Sequence, residues 1–238
     1  SHEGSMLLWI LLMALATCLV AFTQRKNEAL NARIQCTMLA VIGVFCAVMS
    51  SVIGAALGAV AGYFGGKVDT VLIRVSEIFQ AFPDLIFAMA IMTFMGKGVL
   101  NLFIALGLLT WVRTARMIRG SVMQLKEKEY VEAARACGAS TYWIIMKELV
   151  PNCLSTIIVL VTLGIPTAIM YEASLRFLGT GIQPPTPSWG NMISAAQTFI
   201  SYRPVYSIMP GVAIMITVIA FNIFGDGLRD ALDPKLRS

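Results

Sequence analysis

Long apolar runs separated by short polar stretches dominate this chain of 238 residues. A helix that spans a bilayer needs about 20 mostly apolar residues, because lipid offers no hydrogen-bond partner to an exposed backbone. Six runs approach that length: Leu7 to Phe22, Met38 to Ala61, Ile78 to Met95, Val99 to Val112, Asn152 to Tyr171 and Val205 to Phe224. The pattern predicts an all-α polytopic membrane protein with about six transmembrane helices.

The composition agrees with a membrane protein, since 58% of the residues are hydrophobic and 13% are charged. Soluble domains carry roughly 25% charged residues. The fourth run is the shortest, but it ends at Trp111, a residue type favoured at the membrane interface, and Arg113 follows at once. We therefore predict that this run is a span that ends near Trp111.

Basic residues predict the orientation, because cytoplasmic loops of membrane proteins are enriched in Lys and Arg. Seven of the eighteen basic residues lie in residues 113–150: Arg113, Arg116, Arg119, Lys126, Lys128, Arg135 and Lys147. We expect the loop 113–151 and both chain ends to be cytoplasmic. The net charge of +5 then reflects topology rather than binding of nucleic acid, since no basic stripe interleaves with aromatic residues.

The N-terminal region fits this arrangement poorly, because Arg25, Lys26 and Arg33 would lie outside. For residues 6–37, a first transmembrane helix with its connection and an interfacial segment both stay open. Residues 1–5 resemble a remnant of cloning and are left out of the predicted fold. Residues 38–238 are expected to form one transmembrane domain.

The sequence offers no pattern for catalysis or for a metal centre. The five cysteines show no zinc-type spacing with His2, so we expect them to pack as small apolar residues. Gly66-Lys67 lacks the remaining residues of a phosphate-binding loop. We expect a chain that is not an enzyme and that holds no cofactor of its own.

The basic loop predicts two helices joined at a glycine. Residues 129–138 are rich in helix formers and close with Gly138, the residue type favoured just past a helix end. Glu132 and Arg135, three residues apart, would place opposite charges on one face. A second helix from Thr141 to Val150 is expected to end near Pro151, which has no backbone N–H.

Glu132-Ala133-Ala134, with Gly138 four residues on and Pro151 thirteen beyond that glycine, resembles the E-A-A loop of ABC importer permeases. The resemblance implies that this loop couples to an ATP-binding subunit, with Glu132, Ala133, Ala134 and Gly138 in the contact and Pro151 as the junction to the fifth span. Glu148 and Val150 depart from the usual Ile and Leu.

Three further stretches are similar to the dipeptide, oligopeptide and nickel permease family, in particular to the second of its two membrane subunits. They are residues 58–69, 173–190 and 221–237. The external segment of that family after the first span is longer than the stretch Thr23 to Thr37 found here. In the second similar stretch we expect Trp189 to anchor an external loop at the interface.

The resemblance implies a permease subunit in the bacterial or archaeal plasma (inner) membrane that forms half of a path for dipeptides or oligopeptides. Its implied partners are a second homologous permease, two ATP-binding subunits that hold ATP and Mg, an extracytoplasmic substrate-binding protein, and membrane lipid. Nickel or a metal chelate as substrate stays open. The alternative of another class is an ATP-independent secondary transporter, which would carry inverted repeats or charges in mid-span.

Two acidic residues are candidates for lining the path, because an ionisable side chain near a span is costly unless it is paired or wetted. They are Asp84 and Glu172, ahead of Glu77. Gly54, Gly58 and Gly62 recur every four residues and would let another helix approach closely along one stripe. We expect this stripe to serve helix packing, within the chain or against the partner permease.

Overall fold

The computed structural model describes residues 28–183 and 188–232, with side chains from residue 42 onward. Over these ranges the chain is helical and holds no strand, so the all-α prediction is confirmed. The predicted first span, Leu7 to Phe22, lies outside the described residues, as do Pro184, Pro185, Pro187 and the last six residues of the chain.

The described helices follow in a simple order. They are α1 (Glu28–Phe64), α2 (Gly66–Gln80), α3 (Asp84–Met95), α4 (Val99–Leu125), α5 (Glu129–Ala136), α6 (Thr141–Trp143), a π-helical segment (Ile144–Leu149), α7 (Val150–Asn152), α8 (Leu154–Phe177), α9 (Trp189–Ala196), a 3₁₀ turn (Gln197–Phe199) and α10 (Val205–Leu232). The long helices α1, α4, α8 and α10 form the bundle that positions the rest.

Four stretches of the described chain are long and apolar enough to cross a membrane. They are Ile42–Phe64 within α1, α4, α8 and α10, and the bent pair of α2 and α3 makes a fifth if it is one broken span. A break in a helix at membrane depth, as between α2 and α3, is tolerated where other parts of the protein cover it. The multi-pass prediction therefore holds for the described part of the chain.

The predicted span from Ile78 to Met95 is not one continuous helix. The chain breaks between Gln80 and Asp84, and α2 and α3 meet at 85°. Pro83 stands at the break with an extended backbone, ψ 126°. Proline lacks the N–H that a helix interior needs and disfavours helix at the residue before it, so the apolar run is interrupted at this point.

The predicted end of the fourth span at Trp111 is also wrong. Helix α4 continues to Leu125, and the Trp111 side chain is buried against α2 rather than placed at an interface. Trp189 is likewise buried, in the cluster that joins α8, α9 and α10. Both indole rings are core residues here, so neither marks where the bilayer ends.

The glycine stripe packs α1 against α4 of the same chain. A Cβ added at Gly54 would lie 2.6 Å from the carbonyl oxygen of Trp111, and one at Gly62 would lie 2.8 Å from that of Arg119. The same kind of clash would arise between Gly58 and Ala115. The two backbones are therefore in direct contact over two helical turns, as the spacing predicts.

Candidate functional site

Helix α5 has the bounds that the sequence predicts. At its end, Gly138 adopts φ 79°, a left-handed conformation that costs glycine little. The Ala139 N–H then donates to the Ala134 carbonyl at 3.0 Å, which closes the helix with a Schellman motif. Ser140 starts the next turn, since its hydroxyl oxygen accepts from the Trp143 N–H. Gly138 thus fixes the direction in which the chain leaves α5.

One side chain seats α5 on the helical bundle. Val131 is fully buried, in a cluster with Ile118 and Val122 of α4 and with Ile144 and Leu149 of the π-helical segment. Burying a valine contributes roughly 1.5–3 kcal/mol. The contact joins α5 to α4, one of the long helices of the bundle, so a displacement of α5 acts directly on α4.

The predicted coupling residues face away from that contact. Glu132, Ala133 and Gly138 are exposed, and Ala134 is half-buried. Cys137 is exposed as well, so the expectation that the cysteines are buried packing residues fails there, although it holds for Cys46 and Cys153. Small exposed side chains around one carboxylate leave room for close approach by another protein.

Glu132 and Arg135 form no ion pair with each other in the described structure. Arg135 instead lies over the ring of Tyr63, 5.3 Å from its centroid, near the end of α1. This cation–π contact ties α5 to a second helix of the bundle. Glu132 makes no ion pair or hydrogen bond with the described residues, so its carboxylate is free to meet a cation from outside.

Tyr130 borders the same surface. Burial, with the nearby Glu148 carboxylate as a smaller effect, raises the pKa of the Tyr130 hydroxyl above its ordinary value. The group therefore stays neutral at physiological pH and adds no charge to the face of α5. Tyr142 and Trp143, just beyond Gly138, are also exposed and extend this face with aromatic area.

The second helix of the loop ends one residue beyond Pro151, close to the predicted stop. The helical path runs through a π-helical segment into α7, which ends at Asn152, and α8 begins at Leu154. The Val150 N–H donates to the Ile145 carbonyl, five residues back. The Asn152 side chain donates to the Glu148 carbonyl at 2.5 Å. Such a π segment accommodates the missing N–H of a proline without ending the helix at once.

A polar cavity of about 550 Å³ lies between α1, α4, α8 and the α2–α3 bend. Its charged side chains are Asp84, Arg113 and Arg116, and its other polar side chains are Ser50, Gln80, Thr110, Thr114, Thr167 and Tyr171. A cavity of this size with convergent polar groups is typical of a small-molecule site. Two other cavities in the described part of the chain, one between α8, α9 and α10 and one beside Pro166, are lined by no charged side chain.

The structure separates the two acidic residues predicted for the path. Asp84 lines the cavity at the start of α3, and the Tyr171 hydroxyl donates to its carboxylate at 2.6 Å. Glu172 is fully buried within α8 and does not line the cavity. Glu77 pairs with Arg74 on an exposed face of α2. Of the three, only Asp84 meets the geometry of a path-lining residue.

Arg113 and Arg116 were counted with the basic loop in the sequence, yet they line the cavity because α4 continues past Trp111. Three residues further on, Arg119 forms two hydrogen bonds with the carboxylate of Asp69 in α2. In the sequence, the spacing of three between Arg113, Arg116 and Arg119 indicates that these residues lie along one side of a continuing helix.

A second cavity of about 570 Å³ lies between α8, α9 and α10 and is lined almost entirely by apolar side chains. Met170, Phe177, Ile214 and Val218 are among them. No charged residue lines it. Such a groove suits an acyl chain or an apolar helix rather than a polar solute, so the polar cavity is the better candidate for a path.

A family model described as "Binding-protein-dependent transport system inner membrane component" matches residues 54–238. That range includes all of α2 to α10 and every residue that lines the polar cavity except Ser50. It begins at Gly54, the first glycine of the packing stripe. The match therefore covers every feature described above except the first part of α1.

Named relatives are similar over most of the chain. The glutathione transport system permease protein GsiD of Pectobacterium atrosepticum is 40% identical over 196 residues, which is 82% of this chain and 65% of that protein. The oligopeptide transport system permease proteins OppC of Bacillus subtilis and Haemophilus influenzae are 42% and 41% identical over 196 residues. These matches cover 82% of this chain and 64% and 63% of those proteins. The chain spans less than two thirds of the length of these relatives.

Proposed function

Because this chain belongs to the family of binding-protein-dependent transport system inner membrane components, we propose that it is a permease subunit of an ATP-driven importer for small peptides. In this proposal it forms half of the translocation path in a bacterial or archaeal inner membrane. The names of its relatives, oligopeptide and glutathione permeases, favour peptides over nickel or a metal chelate.

The observation that carries the proposal is how α5 packs on the bundle and which of its residues stay exposed. One fully buried side chain, Val131, holds the helix on the bundle, while Glu132, Ala133 and Gly138 face outward. The exposed carboxylate of Glu132 with its small neighbours leaves a surface that a soluble partner can approach closely. The arrangement suits a contact that transmits force from a soluble partner to α4.

The proposed mechanism is alternating access. Two ATP-binding subunits, which hold ATP and Mg, close on each other and push α5 of each permease. Movement of α5 passes through Val131 to α4 and through the π-helical segment and Pro151 to α8. Because α4 and α8 both line the polar cavity, the cavity changes shape when α5 moves. A separate extracytoplasmic binding protein delivers the substrate.

The test is ATP-driven uptake of radiolabelled trialanine into proteoliposomes that contain the permease, its partner permease, the ATP-binding subunits and the binding protein. Glu132→Arg reverses the exposed charge, and Ala133→Trp fills the space beside it. We expect each change to lower uptake and stimulated ATP hydrolysis at least about tenfold, since an interface hot spot is worth 2 kcal/mol or more.

Glu127→Arg is the matched control, because Glu127 is exposed just outside α5 and undergoes the same change of charge. It is expected to leave uptake near the unchanged level. Uptake that persists without ATP in the parent complex would favour a secondary transporter instead. Equal uptake in the parent, Glu132→Arg and Ala133→Trp complexes would show that α5 is not the coupling element.

A further inference from the structure

Two arginine side chains in the polar cavity have no partner. Arg113 and Arg116 lie three residues apart on α4, both are exposed to the cavity, and neither forms an ion pair with any described residue. Like charges three residues apart on a helix repel each other. Arg119, the next basic residue along this side, is already neutralised by Asp69. The cavity therefore holds two positive charges that an anionic group would stabilise.

The chemistry of these side chains indicates which anion. A guanidinium group presents a planar fork of N–H donors that matches the two oxygens of a carboxylate. Two such groups about one helical turn apart in one cavity suit a single carboxylate. They would repel a free metal cation, which gives a second reason to favour peptides over nickel as the substrate.

A negative charge lines the same cavity on a different wall. The Asp84 carboxylate lies at the start of α3 and accepts one hydrogen bond from Tyr171 of α8. A carboxylate has about four acceptor positions, so most of its capacity is left for another donor. An ammonium group, with three N–H donors, is a suitable partner.

The neutral part of the cavity suits the groups between two such termini. Hydroxyl side chains from three helices line it, among them Thr110 of α4 and Thr167 of α8. Both hydroxyls already donate to carbonyls of their own helices, those of Leu106 and Leu163, so each keeps its acceptor positions for an N–H of a peptide group. The volume of about 550 Å³ is within the range of pockets for small ligands.

Resting on the proposed import of peptides, we infer that this cavity is a binding site for a short zwitterionic peptide. Arg113 and Arg116 hold the C-terminal carboxylate, and Asp84, positioned by Tyr171, holds the amino terminus. The site recognises the two charged ends of the peptide and selects little among the side chains between them. The permease then selects for free termini independently of the binding protein.

Equilibrium binding tests this inference without the binding protein. The complete complex of both permeases and the ATP-binding subunits is placed in nanodiscs, and binding of radiolabelled trialanine, its C-terminal amide and its N-acetyl derivative is measured by equilibrium dialysis. We expect each capped peptide to bind at least about tenfold more weakly than trialanine, because a hydrogen-bonded charge is lost in each.

The variants separate the two ends of the site. Arg113→Gln with Arg116→Gln is expected to weaken trialanine binding at least about tenfold and to abolish the preference for trialanine over its amide. Asp84→Asn is expected to abolish the preference over the N-acetyl derivative only. The Arg113→Lys, Arg116→Lys complex should keep part of the preference, since its charge is retained. Arg74→Gln, an exposed change on α2 outside the cavity, is the control.

Each result decides the matter. Parent binding that is equal for free and capped peptides, or no saturable binding at all, overturns the inference. The same holds if the glutamine variant weakens trialanine and its amide by equal factors, which is the mark of a structural defect. If that double variant does not assemble, Arg116→Gln alone carries the measurement. ATP-driven uptake measured in parallel tests the proposed function, so a complex that imports trialanine without sensing its ends refutes only this inference.

Discussion

The contact between α1 and α4 gives the sharpest prediction of stability. At Gly54, an added Cβ would lie 2.6 Å from the Trp111 carbonyl oxygen and 2.7 Å from the Thr114 Cβ. Ordinary van der Waals contact begins at 3.4 Å. Gly54→Ala therefore requires the two backbones to move apart by about 0.8 Å, the difference between 3.4 and 2.6 Å. Neither atom is the flexible end of a side chain, so the helices themselves must move.

The size of the effect follows from two opposing terms. Overpacking of a tight contact costs typically 1–3 kcal/mol. Alanine in place of glycine within a helix returns about 1 kcal/mol. We therefore expect Gly54→Ala to lower the free energy of unfolding by up to about 2 kcal/mol. Gly120→Ala is the matched control on α4, because nothing lies within 4 Å of its added Cβ. It should be neutral or slightly stabilising.

The assay is thermal unfolding of the detergent-solubilised complex, followed by fluorescence-detected size exclusion after heating. Gly54→Ala should lose its monodisperse peak at a lower temperature than the parent, and Gly120→Ala should not. Equal thermal stability of Gly54→Ala and Gly120→Ala would refute the account of the stripe as a backbone contact. Destabilisation of both alike would point to a general effect of losing glycine.

Two further changes test the contact of α5 with the bundle and the ion pair between α4 and α2. Val131→Asp places a carboxylate in the apolar contact, so α5 should detach from the bundle. In limited proteolysis, tryptic cleavage at Lys128 should then become at least about fivefold faster. Ala136→Asp, on the exposed side of α5, is the control and should leave the cleavage rate unchanged. Asp69→Asn removes the partner of Arg119 and should lower the free energy of unfolding by about 2 kcal/mol, measured by the same thermal assay. Exchange of the two side chains, Asp69→Arg with Arg119→Asp, should restore much of that loss, and no restoration would contradict the pairing.

Local patterns were enough to predict the features that depend on neighbouring residues. The bounds of α5 follow from a run of helix formers and from Gly138, and the glycine stripe follows from a spacing of four. Pro83 was also visible in the sequence. The apolar run from Ile78 to Met95 nevertheless continues on both sides of it, and hydropathy does not register a missing N–H.

The features that depend on tertiary packing could not be predicted in this way. The end of α4 was placed at Trp111 because an indole followed by arginines is typical of an interface, but packing against α2 buries that ring. The partner of Arg119, Asp69, is fifty residues away in sequence. The cavity itself joins residues of five helices, so no spacing along the chain indicates that Asp84 and Arg113 share it.

The length and continuity of α4 determine how a movement of α5 would act on the polar cavity. It is continuous from Val99 to Leu125, and only three residues separate it from α5. With a rise of 1.5 Å per residue, the twelve residues from Arg113 to Leu125 measure about 18 Å. A tilt of about 10° about the Arg113 end would move the α5 end by roughly 3 Å, and the converse holds. Because the connection to α5 is only three residues long, it can absorb little movement. In the proposed mechanism, a displacement of α5 by a few ångströms would therefore rotate α4 and move its guanidinium groups instead of extending the connection.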